Sequence, residues 1–274
     1  MGNFFVHNGR TLPEGNPVQE MAGSSRLDHG VFETMRLHHG NLLLAEYHFE
    51  RLSAAMQAME LRVPMLTAAY FQDITRQLFT SNAHRAAARM RLTVFRDGSR
   101  DVLQPADFII ESWDLHAAYT FPGHGLNVGL YPGAFKHPDA IAAYKTNYRL
   151  YSMAAAYARD HALDECMVWN SAGNICDAAI SNVFWIKDGQ IGTPPLSEGC
   201  IAGVMRRHLL HSLQEKEFQV VEKPLTLELL LDADEVFLTN VIRGIRPVEK
   251  FQQVKYGNAF TRKIFESFVR PLNQ

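Results

Sequence analysis

Apolar residues recur along this chain with two spacings, one near the helical repeat and one near the strand repeat, and each spacing marks its element. Ala45 to Leu61 places Phe49, Leu52, Met56 and Met59 on one helical face and reads as an amphipathic helix. Pro64 follows it, and Thr67 stands where a second helix, running through Phe79, needs an N-terminal cap. Arg89 to Arg96 sets Met90, Leu92 and Val94 against Arg89, Arg91 and Thr93, the alternation of a half-buried strand. A partner strand, Ala106 to Trp113, follows the turn Arg96-Asp97-Gly98-Ser99. Nearer the start, Phe4 to His7 before Asn8-Gly9 reads as a strand and tight turn. Val31 to Leu37 and Leu42 to Leu44, joined by His38-His39-Gly40-Asn41, read as a hairpin.

The segment Leu115 to Gly125, with Pro122, Gly123 and Gly125, breaks this rhythm and reads as a linker, dividing the chain into residues 1–117 and 118–274. Beyond it, strands are expected at Leu126 to Leu130, Glu165 to Trp169, Ile175 to Ile186, Phe218 to Glu222 and Glu235 to Thr239. Helices are expected at Tyr148 to His161, Ile201 to Leu213, Leu225 to Leu231 and Ala259 to Val269. Strands occur both as hairpins and between helices, which predicts two α+β domains rather than a regular βαβ array.

The chain has 274 residues, 47% of them hydrophobic and 20% charged, enough apolar material for a sizeable core. Its net charge of −2 offers no field for nucleic acid or an anionic membrane. No apolar run approaches the ~20 residues that span a bilayer, and the N-terminal Met1-Gly2-Asn3-Phe4-Phe5-Val6-His7 lacks the pattern of a signal peptide. Cys166, Cys176 and Cys200 form no CxxC pair and read as buried thiols of a reducing cytoplasm. No metal-ligand spacing is present; His38-His39 sits on a hairpin tip. Gly123-His124-Gly125-Leu126-Asn127-Val128-Gly129 has one residue too many for a dinucleotide fingerprint and precedes a strand instead of following one. There is no phosphate-binding GxxxxGK[ST] and no GxSxG elbow.

Four separated stretches carry the chemistry. They are Gly30-Val31-Phe32-Glu33-Thr34 with His48-Phe49-Glu50-Arg51-Leu52 downstream; Tyr144-Lys145-Thr146-Asn147-Tyr148-Arg149-Leu150; Asn170 to Asp177 leading into Ser181-Asn182-Val183-Phe184; and Gly203-Val204-Met205-Arg206 with Thr239-Asn240-Val241 further on. In this order and spacing they resemble the class IV aminotransferases, enzymes of fold type IV that use pyridoxal 5′-phosphate (PLP), over nearly the whole chain. The family includes branched-chain and D-amino acid aminotransferases and aminodeoxychorismate lyase. The resemblance implies a smaller N-terminal α/β domain, a larger C-terminal domain that anchors PLP, the cofactor at their boundary, and a homodimer.

The resemblance also assigns roles. Lys145, at the head of the helix expected from Thr146-Asn147-Tyr148, matches the Schiff-base lysine, an amine that holds PLP and then shuttles a proton. Taken singly, a lysine is more often a solvated charge. Asp177 stands where the family has a Glu that keeps the pyridine nitrogen protonated; it retains the charge on a shorter side chain. Arg51 matches the phosphate arginine, and Val204 and Met205 match the backbone cup at a helix start. Thr239 and Asn240 are expected to add a hydroxyl or amide donor, and Arg206 to be structural. Arg91, Arg96, Arg243 and Arg246 are candidate binders of substrate carboxylates.

Gly203-Val204-Met205-Arg206 differs from the GITR usual in transaminating members, and Thr239 to Val248 is similar to aminodeoxychorismate lyase sequences. The leading expectation is therefore a lyase releasing pyruvate and p-aminobenzoate for folate biosynthesis. A branched-chain or D-amino acid transaminase using 2-oxoglutarate is the second reading. A PLP-binding protein without turnover, kept open by Asp177, is the third.

Overall fold

The computed structural model describes residues 3–16, 30–96, 105–115 and 118–273. Two compact units divide the chain: Met1–Ala118 with Tyr144–Asn147, and Tyr119–Ala143 with Tyr148–Gln274.

The first unit is built on a six-stranded sheet of order β2-β1-β6-β5-β3-β4. Its strands are β1 (Phe4–His7), β2 (Arg10–Pro13), β3 (Gly30–His38), β4 (Asn41–Leu42), β5 (Ala87–Phe95) and β6 (Asp107–Leu115). All the pairings in this sheet are antiparallel, and β5 lies in full register between β3 and β6. The alternation read along β5 buries Met90, Leu92 and Val94, and these side chains meet Leu52, Phe71, Ile74 and Leu78 from the helices Ala45–Ala58 and Ala68–Ser81. Thr67 caps the second of these helices, its side chain accepting from the Tyr70 N–H. The turn expected at Asp97-Gly98-Ser99 lies outside the described residues.

The second unit holds a sheet of nine strands, β12-β11-β10-β13-β14-β7-β8-β9, with β15 paired to β14. These strands are β7 (Leu126–Leu130), β8 (Glu165–Trp169), β9 (Ile175–Ala178), β10 (Asn182–Lys187), β11 (Gln190–Thr193), β12 (Val220–Glu222), β13 (Glu235–Asn240), β14 (Gly244–Phe251) and β15 (Val254–Lys255). The helix Arg149–Asp160 buries Leu150, Ala154 and Ala158 against Cys166, Val168 and Cys176. The three cysteines are free and buried.

The structure departs from the sequence reading in particular places. Ile175 to Ile186 is two strands, not one. The Ala178 N–H bonds to Ser181 O at 2.8 Å, and this tight bend moves the chain from pairing with β8 to pairing with β13. The helix after Lys145 begins only at Arg149. Lys145 itself lies in an irregular segment that belongs to the first unit, not to residues 118–274 as expected: the Phe32 N–H donates to Lys145 O at 2.9 Å, and Val31 bridges Thr146. The last expected helix is α-helical over Ala259–Ile264 and widens to a π turn over Phe265–Val269.

Candidate active site

In the first unit the buried carboxylate of Glu33, on β3, organises the site. Arg51 reaches it from the helix Ala45–Ala58 with two parallel bonds, Nε to Oε1 at 2.7 Å and a terminal nitrogen to Oε2 at 2.6 Å. His48, one helical turn earlier, places Nδ1 2.7 Å from Oε2. Burial alone would raise the Glu33 pKa. The Arg51 charge and the hydrogen bonds from His48 and Arg51 overcome that and bring it down to about 2. An ionised carboxylate only accepts, so Nδ1 carries the His48 proton. Burial keeps the imidazole neutral, pushing its pKa down against the pull of Glu33.

Lys145 belongs to this neighbourhood. Its charge is one of those that act on His48, and its Nζ lies 5.2 Å from the centre of the Phe32 ring. Arg91 packs on the same ring at 4.0 Å and donates to Asn147 Oδ1 at 3.3 Å. Arg96 is not brought here: it donates to Glu60 O at 2.6 Å, because the expected strand ends at Phe95, one residue before it.

In the second unit Asp177 is buried on β9, 1% exposed, among donors. Its Oδ2 accepts from Tyr151 Oη at 2.7 Å and the Ile201 N–H at 2.8 Å, with Lys136 Nζ at 3.5 Å. Its Oδ1 accepts from Asn182 Nδ2 at 2.8 Å. Burial raises the Asp177 pKa, opposed first by the charge of Lys136 and then by these hydrogen bonds. Sequence reasoning missed Lys136 and Tyr151; Lys136 stands in an irregular stretch where no periodicity marks it. Glu33 and His48 lay inside a motif but had no role assigned to them.

Asn182 also donates to Ile201 O at 2.8 Å and packs so closely on Gly203 that a Cβ there would overlap its side-chain oxygen. Glycine is required at this position, just before the helix Val204–Glu215. Gly203 caps that helix with no side-chain bond, and the N–H groups of Val204 and Met205 meet no acceptor among the described residues. An uncapped helix start suits an anion. Arg206 turns to Pro194 O and Glu222, a structural tie.

Thr239 and Asn240 differ from expectation, since both side chains are engaged in building the β13–β14 turn. The Thr239 hydroxyl donates to Gly244 O at 2.8 Å. Asn240 Oδ1 accepts from the N–H groups of Ile242 and Arg243 at 3.0 and 2.9 Å, and its Nδ2 donates to Ser181 Oγ at 3.1 Å. The turn closes on Gly244, whose φ of +70° and contact with Val269 and Tyr119 exclude a side chain. It brings together Arg243, which is exposed, and Arg246, whose buried Nε meets no acceptor among the described residues. Burial and the Arg243 charge both lower the Arg246 pKa. Because Asn182 pairs with Thr239 in the sheet, this turn adjoins the Asp177 network.

The family model for amino-transferase class IV matches residues 30–251. The chain belongs to the class IV aminotransferase family. It is thus an enzyme of a PLP-dependent class, with PLP as its cofactor. It is 26% identical to an aminodeoxychorismate lyase of Bacillus subtilis, over 92% of this chain and 87% of the relative. It is 27% identical to a putative branched-chain-amino-acid aminotransferase of Methanocaldococcus jannaschii, over 87% of this chain and 85% of the relative. The fold is that of fold type IV. A branched-chain aminotransferase of Thermoproteus uzoniensis, solved with norvaline, superposes with a TM-score of 0.90 at 24% identity, covering 100% of this chain and 95% of that one. Among the described residues no helix is long and apolar enough to cross a membrane, and no cluster of His, Cys, Asp and Glu is arranged to hold a metal ion.

Proposed function

We propose that this family member is a 4-amino-4-deoxychorismate lyase, releasing pyruvate and p-aminobenzoate for folate biosynthesis, and that it works as a cytoplasmic homodimer. The observation that carries the reading is the turn from Thr239 to Arg246. Its sequence is similar to that of the lyases, and Asn240 fixes its backbone so that Arg243 and Arg246 stand together. Aminodeoxychorismate carries two carboxylates, and arginine is the side chain best shaped to bind them. Arg246 already feels the charges of Asp164 and Glu165, and its Nε, which meets no acceptor among the described residues, leaves it donor capacity for such a group.

The residues present fit PLP. Asp177 offers a buried carboxylate for the ring nitrogen, the bare N–H groups of Val204 and Met205 suit the phosphate, and Gly203 keeps the approach to them open. Arg51, held rigid by Glu33, is assigned to the phosphate, and Lys145 to the covalent link. Thr239 and Asn240 support the turn rather than touching the cofactor through their side chains. When bound, PLP supplies an electron sink for the carbon that bears the amine. Lys145 removes the proton from that carbon and delivers one to the departing enolpyruvyl group. Arg91, Arg243 and Arg246 orient the carboxylates.

A branched-chain or D-amino acid transaminase using 2-oxoglutarate is the second reading, favoured by the 27% identity to the archaeal relative. A coupled assay for pyruvate release from aminodeoxychorismate, run beside L- and D-amino acids with 2-oxoglutarate, separates the two. Pyruvate release without transamination is expected; transamination without pyruvate release would overturn the lyase assignment. Lys145→Ala should abolish turnover and the borohydride-reducible adduct, and a fully labelled variant would remove Lys145 from its role.

A further inference from the structure

The Asp177 carboxylate is unequally shared. Oδ2 receives Tyr151, the Ile201 N–H and Lys136, whereas among the described residues Oδ1 receives Asn182 alone. A carboxylate oxygen offers about two acceptor positions, so Oδ2 is saturated and Oδ1 keeps one open. Lys136 is itself 3% exposed and fully engaged: Nζ donates to Ala142 O at 2.9 Å and to Tyr151 Oη, and it faces Asp177. Its backbone is anchored too, with its N–H bonded to Trp169 O and a bridge to Asn170. A fixed, buried cation beside a buried anion does more than fill space. It sets whether that anion stays charged.

We infer that Lys136 is a positioning residue for the cofactor: its ammonium keeps Asp177 ionised and, with Tyr151, ties down Oδ2, leaving Oδ1 to accept the ring N–H. The inference deepens the PLP reading above and rests on it. The shorter side chain at this position thus acts together with a lysine and a tyrosine, and the three form one unit. The other titratable groups packed around Asp177 stay neutral. Burial and Asp177 itself push Tyr151 and Cys176 well above their usual range, and burial carries Cys200 to about 12. Lys136 is the strongest influence opposing the burial of Asp177. Without it the burial of Asp177 is opposed by hydrogen bonds alone, which favours the protonated carboxyl, and a protonated carboxyl is a poor acceptor for the ring N–H.

The test uses PLP labelled with 15N in its pyridine ring, loaded into the parent, Lys136→Met and Lys136→Arg proteins. The parent resonance should be that of a protonated ring. In Lys136→Met it should move to the unprotonated position, and in Lys136→Arg it should stay with the parent. A Lys136→Met spectrum identical to the parent's overturns the inference while the PLP reading stands. A parent that forms no reducible adduct overturns the PLP reading itself. Melting of the cofactor-free proteins gives a second readout. Lys136→Met should lose more melting temperature at pH 8 than at pH 5, since there Asp177 is ionised without its partner, and adding Asp177→Asn should remove that difference. If Lys136→Met fails to fold, the double variant, with both charges gone, is expected to fold; its failure would make Lys136 a packing residue only.

Discussion

Two buried carboxylates, one in each unit, show how differently the same charge can be held. Glu33 is clamped by a bidentate arginine and a neutral histidine, and its pKa falls to about 2 although no solvent reaches it. Asp177 is surrounded by at least as many donors, yet its pKa is raised. The difference lies in the cation. A guanidinium places two N–H groups in the plane of the carboxylate, whereas Lys136 is a point charge 3.5 Å away that also serves Ala142 and Tyr151. Glu33 is a finished ion pair that holds Arg51 in place. Asp177 is held short of completion, with acceptor capacity left for something else.

The comparison breaks most sharply at Arg51. Arg51→Ala leaves Glu33 buried without its cation and should cost about 3–5 kcal/mol of stability, read by chemical denaturation. A loss below about 1 kcal/mol would mean that the clamp is ornamental. Acid sharpens the contrast next. The Glu33 pKa is depressed from 4.5 to about 2, so its contribution is fully present above about 4.5 and is lost as pH falls through about 2. That amounts to about 3 kcal/mol. Asp177 has the opposite sign, because its raised pKa makes ionisation a cost that acid relieves. Melting curves of Glu33→Gln should therefore lack the parent's loss of stability between about pH 4.5 and 2, and a parallel loss in both proteins would refute the assignment. Asp177→Asn should keep PLP bound but slow turnover about a hundredfold, as expected when a fixed electrostatic partner is neutralised; unchanged turnover in an assay limited by chemistry would make Asp177 a bystander. Arg96→Ala, outside both clusters, should change stability by no more than about 0.5 kcal/mol and leave turnover as it was.

Much of this was legible in the sequence because periodicity reports burial. Met90, Leu92 and Val94 announced β5, and Phe49, Leu52 and Met56 announced the helix that carries Arg51. The motif residues Lys145, Asp177 and Arg51 were legible only by resemblance, since a single charged residue has no periodicity. Lys136 and Tyr151 escaped both routes. Lys136 lies between regular elements, and the apolar stretch of its chain disguises the depth of its burial. The break between β9 and β10 was hidden as well: Ile175 to Ile186 is mostly apolar, its polar residues Asp177, Ser181 and Asn182 are themselves buried, and the bend shows in the Ala178 N–H bond to Ser181 O and in the 50% exposure of Ile180. Asn240 looked like a ligand-facing amide and is instead the keystone of a turn, a distinction that depends on hydrogen bonds no pattern of residue types encodes.

The short segment Tyr144–Asn147, packed with the first unit although both of its flanks belong to the second, has a consequence for how the protein is made. A ribosome delivers the chain from its N-terminus, and early units ordinarily fold as they emerge. Here Val31 and Phe32 leave the exit tunnel long before Thr146 and Lys145, the residues that complete their edge of the sheet. The first unit must wait with that edge unfilled while β7 and the stretch bearing Lys136 are translated. Lys145, the proposed anchor of PLP, arrives as the closing piece of the first unit, whose strands precede it in the chain.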